Sequence, residues 1–204
     1  MSLPARLCIF ARAPVLNAVK TRLARSIGAE AALTAHEELV CLALSQMACV
    51  SGLICELWIA GATDHPAVVQ WSQRWQLPIV AQQGHDLGAR MSHAIQTALD
   101  ESDRAIVVGT DCPGITSGYV QQAAAALDRH DLVIGPAEDS GYGLIGLRKP
   151  APALFENMRW GTDSVLRDTL DRAVRIGLSY ELLTTVWDVD DAVDWARFRA
   201  SRSS

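Results

Sequence analysis

Short apolar segments alternate along this chain with longer segments of helical periodicity, and this alternation constrains the fold more than any other feature. The segment 30–50, for example, carries apolar residues at steps of seven, four and three, which places them on one face of a helix. The predicted strands are 7–11, 57–60, 78–81, 105–108, 132–134 and 144–147, and the predicted helices are 30–50, 65–75, 87–98, 118–127, 163–176 and 192–199. Short apolar strands separated by helices predict a mostly parallel sheet covered on both faces, which is a three-layer α/β/α fold.

Length and composition narrow the class of protein. The 204 residues suit a single domain over 1–204, with a disordered tail expected at about 200–204. A net charge of −5 argues against nucleic-acid binding, and there is no apolar run of about 18 residues that would predict a membrane span. No signal peptide is expected, and the five cysteines lack CxxC spacing, so we predict reduced thiols and a cytoplasmic location. The oligomeric state is left open.

Cations follow the first predicted strand. Arg12, Lys20 and Arg22 lie in a loop that leads into a helix, an arrangement suited to binding phosphates. The loop lacks the glycines of a Walker P-loop. A solvated loop with incidental charges is the alternative interpretation.

A carboxylate follows the fourth predicted strand, which runs directly into Thr110 and Asp111. Such a carboxylate can hold a divalent cation that bridges phosphates, although turn aspartates are also common. Cys112 has no histidine close in sequence that could activate it, so we interpret it as structural.

The segment 82–91 joins the third strand to a helix. Asp86 is predicted to cap that helix, while Gly84 and Gly88 would allow a ligand to approach the backbone closely. Arg90 lies in the first helical turn, where a cation opposes the helix dipole unless an anion is near, and this favours a binding role.

Two later segments also carry candidate site residues. Glu138 and Asp139 lie in a glycine-containing loop that suits a substrate pocket, with Tyr142 as a wall or hydrogen-bond donor and Trp160 expected beside the pocket.

The aspartates of the segment 187–191 are close enough to repel one another, and a bound cation would relieve that repulsion. Asp190 or Asp191 could instead cap the last helix. Of the five histidines, only His85 falls in a candidate site.

Taken together, these segments resemble a bacterial family of GT-A-type glycosyltransferase-like proteins. The matching stretches, in order, are FARAPVLNAVKTRL at 10–23, QQGHDLGARM at 82–91, GTDCP at 109–113, GPAEDSGYGLIGL at 135–147, WGT at 160–162 and WDVD at 187–190. The chain departs from the family pattern in four places. Leu16 and Asn17 stand where the pattern has Pro-Gly, Ser140 stands where it has glycine, and Ala89 stands where it has an acid.

The resemblance implies a nucleotide-diphospho-sugar transferase (GT-A, Rossmann-like) fold, which molybdopterin and 2-phospholactate guanylyltransferases also use. It implies that the three cations of the first loop contact nucleotide phosphates, and that Mg²⁺ or Mn²⁺ is bound by Asp111 with Asp188 or Asp190. Asp139 and Tyr142 would face the sugar or the acceptor. The complete expected site comprises catalytic Asp111 and Asp139; nucleotide-binding Ala11, Arg12, Lys20, Arg22, Asp86, Gly88, Arg90 and Thr110; substrate-binding Glu138, Tyr142 and Trp160; and metal-binding Asp111, Asp188 and Asp190.

Three functions follow as hypotheses. The first is metal-dependent glycosyl transfer from a nucleotide-diphospho-sugar to a small-molecule acceptor. The second is nucleotidyl transfer to a phosphorylated small molecule, and the third is an inactive nucleotide-binding module.

Overall fold

A computed structural model describes residues 3–202 of the chain. Its strands are β1 (Ala5–Arg12), β2 (Leu53–Ala60), β3 (Ile79–Ala81), β4 (Ala105–Gly109), β5 (Leu132–Pro136), β6 (Tyr142–Leu147) and β7 (Tyr180–Leu182). Its helices are α1 (Thr21–Ile27), α2 (Ala29–Met47), α3 (Pro66–Trp75), α4 (Leu87–Leu99), α5 (Ser117–Ala126), α6 (Val165–Arg175) and α7 (Ala192–Ser201), with a 3-10 turn at Pro152–Leu154. The order of elements predicted from the alternating pattern is confirmed.

The strands form one sheet in the order β3-β2-β1-β4-β6-β5-β7. The pairs β1–β2, β1–β4, β2–β3 and β5–β7 are parallel, whereas β6 runs antiparallel to both of its neighbours. The predicted mostly parallel sheet is therefore confirmed. Because the chain winds from β1 towards β2 on one side and later places β4 on the other, the carboxyl ends of β1 and β4 form the topological switch point where such sheets bind ligands.

Side chains that alternate in direction along the strands build one apolar layer on each face of the sheet. In β1, Leu7 and Ile9 join the core that α2, α3 and α5 cover, while Cys8 and Phe10 join the core that α4 and α6 cover. Successive side chains of a strand point to opposite faces, so a strand buried on both faces is apolar at every position. Each fully buried Leu or Ile contributes about 1.5–3 kcal/mol.

Helix α1 and strand β7 are absent from the pattern-based prediction. Helix α1 is only seven residues long, and β7 is a three-residue strand paired with β5. At the carboxyl terminus, α7 extends to Ser201, within the tail expected to be disordered, and residues 203–204 lie outside the described part of the chain. No helix within residues 3–202 is long and apolar enough to cross a membrane.

Candidate active site

A cavity of about 310 Å³ opens at the carboxyl ends of β1 and β4, and we call it the central cavity. The strand ends contribute Phe10–Arg12, Ala60, Gln82 and Gly109–Cys112; α2 and α4 contribute His36, Leu87, Arg90 and Met91; and the later chain contributes Ala137, Asp139, Tyr142–Ile145 and Asp188, with Val107 of β4 completing the wall. Residues from four strand ends converge here because parallel strands end at the same edge of the sheet.

Lys20 and Asp111 form the ion pair at the edge of this cavity. The Lys20 Nζ lies 2.7 Å from Asp111 Oδ1 and donates a hydrogen bond to the Val189 carbonyl at 2.6 Å. The Lys20 side chain is 5% exposed, whereas that of Asp111 is 50% exposed. The Val189 amide in turn donates to the Asp111 carbonyl at 3.0 Å. One ammonium group thereby joins the loop after β1, the end of β4 and the segment before α7.

The backbone of Lys20 adopts a conformation that is unusual for a residue with a side chain. Its φ of 46° and ψ of 42° fall in the left-handed region, which costs a residue with a Cβ about 1–2 kcal/mol. Such conformations persist where the surrounding structure imposes them, and they cluster at ligand sites.

A second ion pair lies further out. Arg22 Nη1 is 2.6 Å from Asp190 Oδ2, and both side chains are exposed. Lys20 and Arg22, two of the cations expected to bind phosphates, therefore pair with Asp111 and Asp190, two of the carboxylates expected to bind metal. Neither Lys20, Arg22 nor Asp190 lines the central cavity.

Asp188 reaches the cavity among other carboxylates. Burial, and then the negative charges of Asp139, Asp190 and Asp111, raise the pKa of Asp188 to about 6. No three His, Cys, Asp or Glu side chains within residues 3–202 are already arranged to hold a metal ion. Lys20 balances part of this negative charge, and it would compete with a cation for Asp111 Oδ1.

Two side chains near the β1 end are held by backbone carbonyl groups. Arg12 donates from Nη1 to the Ala18 carbonyl at 3.1 Å. His36, which is almost fully buried, bonds through Nε2 to the Arg12 carbonyl at 2.9 Å, and burial lowers its pKa. Because a carbonyl oxygen only accepts hydrogen bonds, Nε2 carries a proton and donates it.

The start of α4 separates the central cavity from a second one. Asp86 accepts a hydrogen bond from the Ala89 amide at 2.7 Å, so the predicted helix cap is confirmed. Arg90 lines the central cavity and donates from Nε to the Gly84 carbonyl at 3.2 Å. Gly88 faces Trp160 instead, because a Cβ there would lie 2.6 Å from the indole ring. Its missing side chain is therefore required by packing.

The second cavity, of about 530 Å³, lies on the opposite face of α4. Asp86 and His85 line this side cavity rather than the central one. His85 was the histidine expected in the site, but His36 is the one that lines the central cavity. Nothing in the sequence around His36 signals this, because α2 brings it to the cavity from outside the strand-end loops.

The predicted substrate residues separate into two groups. Asp139 lines the central cavity, and its Oδ1 accepts a hydrogen bond from the Gly141 amide at 2.9 Å. Glu138 instead forms a two-contact ion pair with Arg197 of α7, at 2.7 and 3.1 Å.

Tyr142 and Trp160 pack edge to face, with ring centroids 6.4 Å apart. The Tyr142 ring borders the central cavity, but its hydroxyl is buried, and burial raises its pKa. The Tyr142 hydroxyl lies near the Thr169 side chain, whereas the buried Trp160 indole nitrogen has no hydrogen-bond partner within residues 3–202. The Trp160 ring forms part of the packing beneath the cavity rather than its wall.

Backbone angles show how the chain accommodates its two departures from glycine in the family pattern. Asn17 has a φ of 64° and Ser140 a φ of 69°, both left-handed. These are the two positions where the resembling family carries glycine, the residue that adopts such angles without strain. The loops therefore keep the backbone shape that glycine favours, at a conformational cost that is smaller for asparagine than for serine.

Cys112 is buried at the cavity wall, with its sulfur packed against Gly143. Burial, and then the charge of Asp111, raise the pKa of the Cys112 thiol. A thiol in that state is a poor nucleophile, in agreement with a structural role.

Comparison with known proteins assigns a family. The family model described as "Uncharacterized protein conserved in bacteria (DUF2064)" matches residues 43–162, which is more than half of the chain. This chain belongs to the DUF2064 family. No curated protein matches it.

Solved structures resemble this DUF2064 protein over nearly its whole length. A protein from Desulfovibrio desulfuricans G20, provisionally assigned as a nucleotide-diphospho-sugar transferase, matches with a TM-score of 0.89 and 32% identity, covering 99% of this chain and 89% of that protein. The 4-diphosphocytidyl-2C-methyl-D-erythritol synthase from Anaerococcus prevotii DSM 20548 matches with a TM-score of 0.67 and 11% identity over 99% of both chains.

A CMP:2-keto-3-deoxy-manno-octonic acid synthetase, solved with CTP, matches with a TM-score of 0.60 and 13% identity over 98% of both chains. The two more distant likenesses show a shared fold alone. The chain therefore has a Rossmann-type fold like that of nucleotide-diphospho-sugar transferases.

Proposed function

We propose that this chain is a transferase that binds the nucleotide part of an activated substrate in the central cavity. The observation that carries the proposal is the ion pair between Lys20 and Asp111 at the switch point of the sheet. It brings together a cation suited to phosphate and a carboxylate suited to a divalent metal, at the edge where α/β sheets of this type bind ligands.

The two ion pairs suggest how a charged ligand would enter. Phosphate groups could replace the carboxylates as partners of Lys20 and Arg22. Mg²⁺ or Mn²⁺ could replace Lys20 as the partner of Asp111. The carboxylates fit such an ion, because Asp188 lies among like charges that a cation would relieve. We assign Asp111 and Asp188 as its ligands, since Asp190 pairs with Arg22 and lies outside the cavity wall. When bound, the ion would neutralise charge on the leaving diphosphate.

The preferred reaction is GT-A-type glycosyl transfer from a nucleotide-diphospho-sugar, supported by the Desulfovibrio relative. The acceptor hydroxyl oxygen would bond to the anomeric carbon as the bond from that carbon to the diphosphate oxygen breaks. Asp139 would take the hydroxyl proton as general base, and its hydrogen bond from Gly141 fixes the carboxylate towards the cavity. The nucleoside diphosphate would leave with the electron pair of the broken bond.

Nucleotidyl transfer is the second candidate, because cationic side chains are concentrated around the β1 end. Lys20, once released from Asp111, would stabilise the negative charge of a pentavalent α-phosphate, and Arg12 and Arg90 at the cavity wall would add to this stabilisation. A phosphorylated small molecule would attack the α-phosphorus of a nucleoside triphosphate, and pyrophosphate would leave.

Calorimetric titration with nucleoside triphosphates and nucleotide sugars, with and without Mn²⁺, tests the proposal. Release of a nucleoside diphosphate from a nucleotide sugar would identify the first reaction, and release of pyrophosphate would identify the second. Binding without turnover across a broad acceptor panel would indicate the inactive module. Absence of binding by any nucleotide would refute the proposal.

The metal role is tested separately by Asp111→Asn, which should abolish the Mn²⁺-dependent part of nucleotide affinity while leaving the circular dichroism spectrum unchanged. Asp64→Asn, at an exposed position outside the cavity, is the matched control and should behave like wild type. Equal Mn²⁺ dependence in wild type and Asp111→Asn would remove Asp111 from the site.

A further inference from the structure

Arg197 of α7 contacts two segments that each carry a carboxylate of the central cavity. Its Nη1 and Nη2 atoms lie 2.7 and 3.1 Å from the two carboxylate oxygens of Glu138, in the hairpin between β5 and β6. The same guanidinium group lies over the ring of Trp187, with its Cζ atom 4.3 Å from the ring centroid. One side chain therefore contacts the residue before Asp139 and the residue before Asp188.

The residues that Arg197 contacts lie away from the cavity wall, whereas their neighbours form part of it. Asp139 and Asp188 line the central cavity, but Glu138 and Trp187 do not. After burial, the charge of Asp139 raises the pKa of Asp188 most, so the two carboxylates lie near each other. Arg197 thus joins the two segments on the side that faces away from this pair of carboxylates.

Helix α7 gives the Arg197 side chain a fixed starting point. The helix begins with a capping box, in which Asp191 and Asp194 each accept a hydrogen bond from the backbone amide of the other. Phe198, the residue after Arg197, is fully buried in a cluster that includes Val189. The helix is therefore anchored at its start and along one face.

Backbone hydrogen bonds join the same two segments only at their beginning. The Glu138 amide donates to the Val186 carbonyl at 3.0 Å, and the Val186 amide donates to the carbonyl of the last residue of β5 at 2.8 Å. No backbone hydrogen bond within residues 3–202 joins residues 139–140 to residues 187–188. The side-chain contacts of Arg197 extend the connection past that point, and both kinds of contact favour one geometry.

We propose that Arg197 is a positioning residue, which holds Asp139 and Asp188 together at the wall of the central cavity so that this wall is preorganised to bind a divalent cation. The inference rests on the proposed function, in which Asp188 binds the ion and Asp139 lies beside it as general base. Carboxylates that are already in place bind a cation more tightly, because binding then requires no further ordering. Glu138 serves in this arrangement as the attachment point of Arg197.

Binding of Mn²⁺ without nucleotide tests the inference, with free Mn²⁺ measured by electron paramagnetic resonance. The double variant Arg197→Met with Glu138→Gln removes both contacts and keeps the net charge of the wild type, so a change in affinity cannot come from net charge. We expect Mn²⁺ to bind roughly 3- to 10-fold more weakly, because the cavity wall then has to be ordered on binding.

Two further variants separate positioning from a general loss of structure. Arg197→Lys keeps the charge and can make a single contact to Glu138, so it should bind Mn²⁺ with an affinity between those of the wild type and the double variant. The matched control is Arg129→Met with Glu181→Gln, which removes an exposed ion pair of 3.2 Å outside the cavity and should bind Mn²⁺ like the wild type. Arg197→Met alone serves as the second variant if the double variant does not fold, and it should also bind Mn²⁺ more weakly.

An Mn²⁺ affinity of the double variant within about twofold of wild type, or an equal loss in the Arg129 control, would overturn the inference alone. If the wild type itself binds no Mn²⁺, the metal role and this inference fail together, while the nucleotide titration still decides separately on the proposed function.

Discussion

Replacing Lys20 with methionine removes the ammonium group that joins three distant parts of the chain. Methionine keeps most of the length and volume of the buried stem, so packing changes little. The change leaves Asp111 without its cation and the Val189 carbonyl without its donor. It therefore tests whether this ion pair stabilises the folded chain and whether it competes with a metal ion for Asp111.

The expected loss in free energy of unfolding depends on the unequal exposure of Lys20 and Asp111. Breaking one side of a fully buried pair costs about 3–5 kcal/mol, whereas an exposed pair contributes about 0–1 kcal/mol. Lys20 is 5% exposed but Asp111 is 50% exposed, so the Asp111 carboxylate stays partly hydrated after its partner is removed. We expect the free energy of unfolding to fall by about 1–2 kcal/mol. For a chain of this size the melting temperature should fall by about 2–8 °C.

Urea unfolding measures the loss of stability, and Mn²⁺ titration measures the change in metal affinity. Without nucleotide, Lys20→Met should bind Mn²⁺ roughly 5- to 30-fold more tightly than wild type, because the ion no longer has to displace the pair. Arg22→Met is the matched control, since its ion pair with Asp190 is exposed and solvent screening leaves it little effect on stability. The reasoning is refuted if Lys20→Met unfolds at the wild-type urea midpoint and binds Mn²⁺ no more tightly.

Four further changes test other features by chemical unfolding. Ser140→Gly should stabilise the chain by about 0.5–1 kcal/mol, because it removes left-handed strain at the cost of extra freedom in the unfolded state, and the same change at Asn17 should be close to neutral. Gly88→Ala should destabilise by about 1–3 kcal/mol, since its Cβ would overlap Trp160; a cost near zero would show that the indole moves freely. Burial lowers the pKa of His36, so the unfolded state binds its proton more readily; stability should fall as the pH drops below about 6.5 in wild type and fall less in His36→Gln.

The strand ends were well predicted from the sequence because their signal is local. A buried parallel strand is a short apolar run, and the residue after it is where a ligand-binding loop begins, so Arg12 and Asp111 could be identified without a structure. The antiparallel direction of β6 could not be read in this way, since its residues are as apolar as those of β4 and β5, which pair in parallel with other strands. Strand direction is set by long-range pairing and by the length of the preceding connection.

The side-chain partners within the site could not be predicted for a related reason. Lys20 and Asp111 are 91 positions apart, and their pairing depends on the left-handed turn at Lys20 and on the segment before α7. Gln82 opens the stretch 82–91 that matches the family pattern, but its side-chain contacts with the carbonyl groups of Ala11 and Trp58 could not be predicted from that pattern. Periodicity and motif spacing describe neighbours along the chain, whereas these contacts belong to the folded sheet.

The antiparallel β6 also affects how this architecture could diversify. Because β6 reverses direction, the chain passes from β5 to β6 through the five residues 137–141, whereas a parallel connection would need a dozen or more. That short hairpin carries Asp139 to one side of the central cavity, while Gln82 and the β1 loop form the other side. Insertions or deletions in the hairpin can therefore remodel the Asp139 side without shifting the register of β1, β2 or β4.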